Sequence, residues 1–317
     1  MVDAFIRFSV HKVLSKRISY FRRIGAILSS TKYESALSEC SSFIPDPLFR
    51  SLPLTMTGSE PSLPIIDVSH LCKKYWNSNI DLKTLAADEE IQHLVQQLID
   101  GFETWGFIYL SGHQIPQQMI ESCFKTSEEF FMLSEEEKMQ FYRSDDDFFG
   151  YVPQNCENFD VTRPVDIKEA FDMLFNTKHE ERFKSKHPDL YKTLQDLSGM
   201  LCRLTQLLLH LFDIALGITD SPFLINQHQF ISLDNYEKNV TSLRTLYYPP
   251  VADRSQVSEG QQRCTEHCDY GTVTLLLQDA AGGLEVRLLF IFLVRPVTLT
   301  MISNYSTVVF CVSDQDF

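Results

Sequence analysis

A histidine and an aspartate separated by one residue, His267 and Asp269, have the residue types best suited to chemistry in this sequence. In an extended chain, residues two apart project to the same side, so both side chains can reach one metal ion while Cys268 points away. An imidazole and a carboxylate that share a face are ordinary metal ligands. The spacing therefore predicts a metal site for which these two residues supply only some of the ligands.

The sequence around this pair makes the prediction specific, because a histidine beside an acid also occurs by chance. A strand-like segment, 243–250, precedes the pair, and a second, 271–279, follows it. One histidine and one carboxylate, completed by a distant second histidine, form the facial triad of non-haem iron(II) oxygenases. Such a triad leaves coordination positions open for a cosubstrate and oxygen.

Other polar residues allow alternative interpretations. Three earlier histidines are candidates for the missing ligand, although a lone histidine is usually structural; they are His113, His210 and His228. Cys264 and Cys268 lie beside His267, but their spacing matches no common structural zinc motif. Arg244 could face a substrate anion, although its alternating barrel position favours an ordinary salt bridge.

Composition limits the possible partners. The net charge of -14 argues against general affinity for nucleic acid, because binding to phosphates requires a basic face. Eight scattered cysteines without a Cys-x-x-Cys pair favour a reducing compartment. The longest uninterrupted apolar run, 288–294, is too short to span a membrane. We therefore expect a cytoplasmic protein that does not enter a membrane.

The first part of the chain differs from the rest. Residues 1–33 carry seven basic side chains and one acid, which is typical of a mitochondrial transit peptide or of a basic extension. Residues 34–62 are rich in serine and proline and indicate a linker. We predict that 1–62 lies outside the fold, which then begins at Leu63.

Periodicity predicts helices first and strands later. Apolar residues at helical spacing follow Asp88, Ser134 precedes three glutamates as a helix cap, and a leucine-rich helix begins at Pro188. Strand-like segments dominate after Gly217. The sequence therefore predicts an α+β protein with a helical first part and a β-barrel or sandwich in its second part.

In these features the sequence resembles the isopenicillin N synthase-like branch of the iron(II)/2-oxoglutarate-dependent dioxygenases. The resemblance covers about residues 63 to 286 and rests on segments 63–67, 106–116 and 130–134, together with Tyr248 and the His267/Asp269 pair. It implies a double-stranded β-helix (jelly roll) core, Fe(II) held by His267 and Asp269, and 2-oxoglutarate contacted by Tyr248. It also implies O2 and a small organic molecule as substrates.

The sequence departs from the family after Val286. The family places a second iron-binding histidine and an Arg-x-Ser pair, which grips 2-oxoglutarate, further along the chain. Here no histidine follows His267, and Arg287 and Arg295 are followed two places later by Leu289 and Val297. A further departure is Leu246, where some members have asparagine.

Two functional hypotheses follow. The chain is either a dioxygenase impaired by loss of the distal histidine and arginine, or an inactive isoform that binds a protein partner at an exposed sheet edge. The resemblance implies an N-terminal dioxygenase domain at 63–185, a partial iron/2-oxoglutarate domain at 186–286 and a divergent tail at 287–317. In that interpretation the last core strands are missing or replaced.

Overall fold

A computed structural model provides the structure of the chain. The structure describes residues 2–8, 63–143, 149–157, 162–174, 180–228, 241–251, 253, 255, 257–267, 269, 272–279, 281, 283–290, 293–298 and 308–312. For 2–8, 286–290, 293–298 and 308–312 it describes the backbone alone, and it leaves out the side chain of Glu103. Most of the predicted basic extension and linker, and the acidic run 145–147, lie outside the described residues.

The helices of the described residues lie between Ser69 and Gln227. They are α1 (Ser69–Tyr75), α2 (Leu82–Ala86), α3 (Glu89–Trp105), α4 (Gln117–Phe131), α5 (Glu135–Met139), α6 (Glu180–Lys186), α7 (Pro188–Ala215) and α8 (Phe223–Gln227). The strands are β1 (Val2–Phe8), β2 (Ile65–Asp67), β3 (Phe107–Ser111), β4 (Gly150–Val152), β5 (Glu169–Met173), β6 (Ser242–Tyr247), β7 (Val273–Gln278), β8 (Glu285–Phe290), β9 (Leu293–Thr298) and β10 (Val308–Val312). This mixture confirms the predicted combination of helix and strand.

Side-chain caps explain where several helices begin. Asp88 accepts hydrogen bonds from the backbone N–H groups of Glu90 and Ile91 and so caps α3. Ser134 and Glu137 form a reciprocal capping box at α5. Gly217 follows α7 with φ of +72°, a conformation that glycine adopts without strain. The predictions for these three helices are confirmed to within a residue or two.

Helix α7 forms the centre of the helical layer. Its apolar stripe packs against α3, α4, α6 and α8. Among the described residues it is the one helix long and apolar enough to cross a membrane, and 78% of its most apolar window is buried inside the protein. A core helix has these properties because it is enclosed by apolar neighbours.

Eight strands form one sheet in the order β2-β3-β10-β7-β1-β6-β5-β4, and β8 pairs with β9 in a separate two-stranded sheet. Phe130 and Phe131 of α4 cover one face of the large sheet. Phe130 contacts Phe171 of β5 with ring centroids 5.0 Å apart, and Phe131 stacks on Tyr247 of β6 at 5.4 Å. Because side chains alternate along a strand, the neighbours of Phe171 and Tyr247 face the other way.

One sequence prediction about the sheet needs correction. The fold does not begin at Leu63, because Val2–Phe8 pairs as strand β1 between β6 and β7. Strand β7 is paired with β1 on one side and with β10 on the other, and the terminal strands of the large sheet are β2 and β4. Val308–Val312 from the predicted divergent tail supplies β10. Pairing to residues distant in sequence is the physical reason that neither feature could be predicted locally.

Candidate metal and cosubstrate site

His267 and Asp269 lie in irregular backbone just before β7, and their side chains converge. The distance from His267 Nε2 to Asp269 Oδ1 is 3.4 Å, and both side chains are about a quarter to a third exposed. The hydrogen bond to Asp269, with a smaller contribution from Cys264, raises the pKa of His267 to about 10. One imidazole nitrogen and one carboxylate oxygen are therefore close enough to bind the same ion.

The orientation of the His267 ring is fixed by a main-chain contact. His267 Nδ1 lies 2.7 Å from the carbonyl oxygen of Thr265, which can only accept a hydrogen bond. Nδ1 therefore donates a proton to this carbonyl, and Nε2, which shares its proton with Asp269 at neutral pH, is the nitrogen that would be deprotonated on metal binding. The main-chain contact thus leaves Nε2 facing Asp269.

Thr265 is held in turn by Asp166, which precedes β5. Asp166 Oδ1 accepts the backbone N–H of Thr265 at 2.9 Å and also its hydroxyl. Lys168 Nζ lies 2.7 Å from Asp166 Oδ2, and both side chains are buried. A buried ion pair thus anchors the loop that carries His267. Sequence reasoning missed it because no local pattern relates Asp166 to Thr265.

A larger ionic network is built on strands β5 and β6, where Asp172 and Arg244 are register partners. Arg244 Nη2 lies 2.6 Å from Glu157 Oε1, and Arg244 Nε lies 3.4 Å from Asp172 Oδ1. Arg143 pairs with both of these carboxylates. Burial lowers the pKa of Arg244, but the charges of Asp172 and Glu157 outweigh it and raise that pKa. Arg244 is therefore a salt-bridge residue, the simpler of its two interpretations.

Tyr248 follows β6 at the point where Pro249 and Pro250 prevent further strand pairing. It is half-buried and packs against an apolar cluster of Val152, Ala170 and Leu246. Arg263 donates a hydrogen bond to the carbonyl of Pro249, which ties the end of β6 to the loop that carries His267. The structure thereby joins the two segments in which the sequence predicts site residues.

The three histidines considered as the missing third ligand each have a structural contact or a buried environment of their own. His228 lies 2.7 Å from the carbonyl oxygen of Leu224 through Nδ1 and 3.0 Å from Thr272 Oγ1 through Nε2. His113 Nδ1 accepts the backbone N–H of Ile115. Burial in α7, followed by the charge of Arg203, lowers the pKa of His210 to about 4. Cys268, the second cysteine of the zinc alternative, lies outside the described residues.

The residues present fit an iron(II) centre in part. His267 and Asp269 supply two of the three ligands of a facial triad, one histidine and the carboxylate. Within the part of the chain that the structure describes, no three histidine, cysteine, aspartate or glutamate side chains form a group that could hold a metal ion. A third protein ligand would have to come from elsewhere.

Two family models match the chain. The model for the N-terminal part of non-haem dioxygenases of morphine synthesis matches residues 63–193, and that for the 2OG-Fe(II) oxygenase superfamily matches residues 239–315. The chain belongs to the 2-oxoglutarate/iron(II) oxygenase family, whose members use Fe(II) as cofactor and 2-oxoglutarate as cosubstrate. The second match includes most of the tail 287–317, and the divergence of that tail stays a prediction.

Curated relatives support the same family. A UPF0676 protein of Schizosaccharomyces pombe is 29% identical over 63% of this chain and 61% of its own length. The 2-oxoglutarate-dependent dioxygenase gloF of Glarea lozoyensis is 26% identical over 63% of this chain and 62% of its own length. Homoarginine-6-hydroxylase 2-ODD-C23 of Glycine max is 27% identical, with 71% and 69% covered. The chain thus spans little more than 60% of the first two relatives.

A solved structure has the same fold. A full-length Neurospora crassa protein, crystallised in complex with alpha-KG, aligns with a TM-score of 0.59 and 27% identity, over 80% of this chain and 73% of that protein. Structural neighbours of this kind are 2OG-Fe(II) oxygenases, which have a jelly-roll fold. They confirm the predicted fold class, whereas the predicted loss of core strands stays a prediction.

Proposed function

We propose that this chain is a dioxygenase of the isopenicillin N synthase-like branch that oxidises a small organic substrate, with activity reduced by an incomplete metal site. The observation that carries the proposal is the convergence of His267 Nε2 and Asp269 Oδ1 at 3.4 Å. Fe(II) would be held by these two residues, and 2-oxoglutarate would lie against Tyr248. With both bound, the cofactor supplies oxygen activation coupled to decarboxylation of 2-oxoglutarate to succinate.

The protein's own residues would provide orientation. Thr265 holds the proton of His267 on Nδ1, so that Nε2 presents its lone pair to the metal. The Asp166–Lys168 pair fixes Thr265 without adding net charge beside the site. The apolar cluster under Tyr248 would exclude water from one side of the bound cosubstrate.

Reduced activity is expected from the ligand count. Two protein ligands hold iron more weakly than three, and no histidine follows His267 in the sequence. The family's Arg-x-Ser pair is also absent after Asp269. A dicarboxylate cosubstrate would then lack its usual partner for the distal carboxylate, which costs affinity in a barrel interior.

The substrate class is supported by what the similar proteins are named for or crystallised with. One relative is a homoarginine hydroxylase, and the Neurospora crassa protein has been crystallised with thymine. Homoarginine and thymine are both small polar molecules, and the net charge of -14 disfavours a nucleic acid substrate. A cytoplasmic location fits the scattered cysteines, with a mitochondrial location as the alternative suggested by residues 1–33.

The proposal is tested by anaerobic titration of the purified chain with Fe(II) and 2-oxoglutarate. Chelation of iron by 2-oxoglutarate produces a weak visible charge-transfer band, and we expect that band at high iron concentrations. Oxygen-dependent succinate formation, measured on the same sample, reports turnover. A folded chain that shows neither the band nor succinate contradicts the proposal.

The alternative is an inactive isoform that binds a protein partner. It is favoured by the absence of a three-ligand group among the residues whose positions are described. In the eight-stranded sheet the terminal strands are β2 and β4, so a partner strand would add there. Absence of the charge-transfer band from a folded chain would favour this alternative.

A further inference from the structure

The two strands that flank the candidate site are not neighbours in the sheet. Strand β6 leads into Tyr248, and β7 begins just after Asp269, but β1 lies between them. Val2–Phe8 pairs antiparallel with both strands, with register partners from Val2↔Tyr247 to Arg7↔Ser242 on β6 and from Asp3↔Gln278 to Phe8↔Val273 on β7. The segment thus completes the sheet beneath the site.

Without β1 the sheet would have a gap one strand wide. Adjacent strands lie about 4.8 Å apart, so β6 and β7 would be separated by roughly 9.6 Å, too far to pair with each other. Their facing N–H and C=O groups would lose their ladder partners, and buried unpaired backbone groups are costly. The gap therefore favours the binding of an extended strand.

The sequence of β1 matches the register in which it is paired. Its even-numbered residues are apolar; they are Val2, Ala4, Ile6 and Phe8. Their register partners on β6 and β7 are all buried; they are Tyr247, Thr245, Leu243, Leu277, Leu275 and Val273. A slip of one residue would place the apolar set opposite the other partners, of which Arg244, Ser242 and Gln278 are polar and only partly buried, whereas Leu246, Thr274 and Leu276 are buried. Phe5 interrupts the alternation, so the pattern favours this register and does not by itself specify it.

The connection between β1 and the rest of the fold is long. Residues 9–62 separate Phe8 from Leu63, the first described residue of the remaining fold. A connection of 54 residues is long enough for Val2–Phe8 to reach the gap between β6 and β7. The covalent link keeps the strand at a high local concentration.

We propose that the gap between β6 and β7 is a strand-binding site and that Val2–Phe8 is its ligand, supplied by the same chain. Recognition is by β-addition on both sides, with main-chain hydrogen bonds giving affinity and the apolar alternation giving register. This inference does not depend on metal binding or on the proposed reaction. It also requires residues 1–8 to remain attached, which opposes cleavage of a transit peptide from this segment.

Engineered cysteines test the pairing in the full-length chain. Ala4 and Thr245 are direct register partners, and paired strand residues have Cα atoms about 4.5–5.5 Å apart, within disulfide range. Ala4 and Leu243 are two residues out of register and lie beyond that range. We expect A4C/T245C to form an intramolecular disulfide on mild oxidation, identified by peptide mapping, and A4C/L243C to form at most a trace.

The native cysteines are present in both variants, so the difference in yield between them reports register. Equal yields from the two variants, or no disulfide in A4C/T245C, would overturn the proposal. A disulfide that joins two copies of the chain would overturn the assignment of the strand to its own chain. These outcomes need no metal and are therefore independent of the proposed function.

Deletion of residues 2–8, followed by addition of the same residues as a separate peptide, tests whether the gap binds a strand. We expect deletion of residues 2–8 to lower Tm by about 5 °C or more, and a peptide of residues 2–8 to restore it in a concentration-dependent manner. A control peptide with Ile6 and Arg7 exchanged has the same composition but a broken alternation, and it should not restore Tm. An unchanged Tm after deletion, or equal rescue by both peptides, would contradict the proposal. The disulfide test decides the matter if the deletion variant does not fold.

Discussion

Asp166 accepts two hydrogen bonds from Thr265, one from the backbone N–H at 2.9 Å and one from the hydroxyl, although the two residues lie 99 positions apart in the chain. Thr265 in turn accepts the Nδ1 proton of His267 at its carbonyl oxygen. A buried carboxylate just before β5 therefore helps to position a candidate metal ligand. The role of Asp166 is to hold the loop in place.

Removal of the Asp166 carboxylate should be strongly destabilising. D166A leaves the buried ammonium of Lys168 without its nearest partner, and breaking a buried ion pair costs about 3–5 kcal/mol. T265V removes only the hydroxyl donor and should cost about 1 kcal/mol. The measurement is the free energy of unfolding in urea.

The exposed pair Lys192–Asp196 provides a matched control for D166A. Its two side chains are 67% and 42% exposed, and D196A should cost less than about 1 kcal/mol. If D166A and D196A prove equally mild, the Asp166–Lys168 pair does not anchor the loop.

Arg244 should contribute to the stability of the fold and not to the binding of a substrate anion. R244M leaves Glu157 and Asp172 with Arg143 as their remaining close arginine, and we expect a loss of about 3 kcal/mol or more. R244K keeps the charge but not the planar guanidinium that reaches two carboxylates. Its free energy of unfolding should therefore lie between those of R244M and the native chain. Urea unfolding measures both. Native stability in R244M would indicate that the pairing is not retained in solution.

Asp213 predicts a pH dependence of stability. Burial raises the pKa of its carboxyl to about 6 in the fold, above the ordinary value of 3.8, although the backbone N–H of Leu224 stabilises the charged form. The folded state therefore holds the proton more tightly than the unfolded state. This contribution to stability is complete below pH 3.8 and is lost as pH rises through about 6.

Asparagine at this position removes the titration but keeps an acceptor for Leu224. D213N should therefore gain stability relative to the native chain between about pH 5 and pH 8, by on the order of 1–3 kcal/mol. Urea unfolding at the two pH values measures the change. A constant difference between D213N and the native chain across that range would contradict the assigned pKa.

Local patterns in the sequence predicted much of the fold. The caps at Asp88 and Ser134 and the leucine stripe from Pro188 are local signals, so the helices that they begin could be predicted directly. The His267/Asp269 pair was equally visible, because only one residue separates its members. The structure adds that the two side chains converge, and their role as ligands stays a prediction.

Features that depend on distant residues could not be predicted. Strand β1 pairs with residues more than 200 positions away, and nothing in its own basic, serine-containing surroundings distinguishes a strand from an extension. The network of Arg244, Glu157 and Asp172 is similar, because it forms only once β5 and β6 are in register. Sheet register depends on which strands meet, and this information is absent from any single segment.

The most direct test of the account is the affinity for Mn(II), a redox-inert substitute for Fe(II), followed by loss of the free-ion signal in electron paramagnetic resonance. We expect H267A and D269A each to weaken Mn(II) binding by about tenfold or more, since each removes a ligand. H93A, which removes an exposed histidine on α3, should bind as the native chain does. Native affinity in H267A or D269A would contradict the assignment of this pair as the metal site.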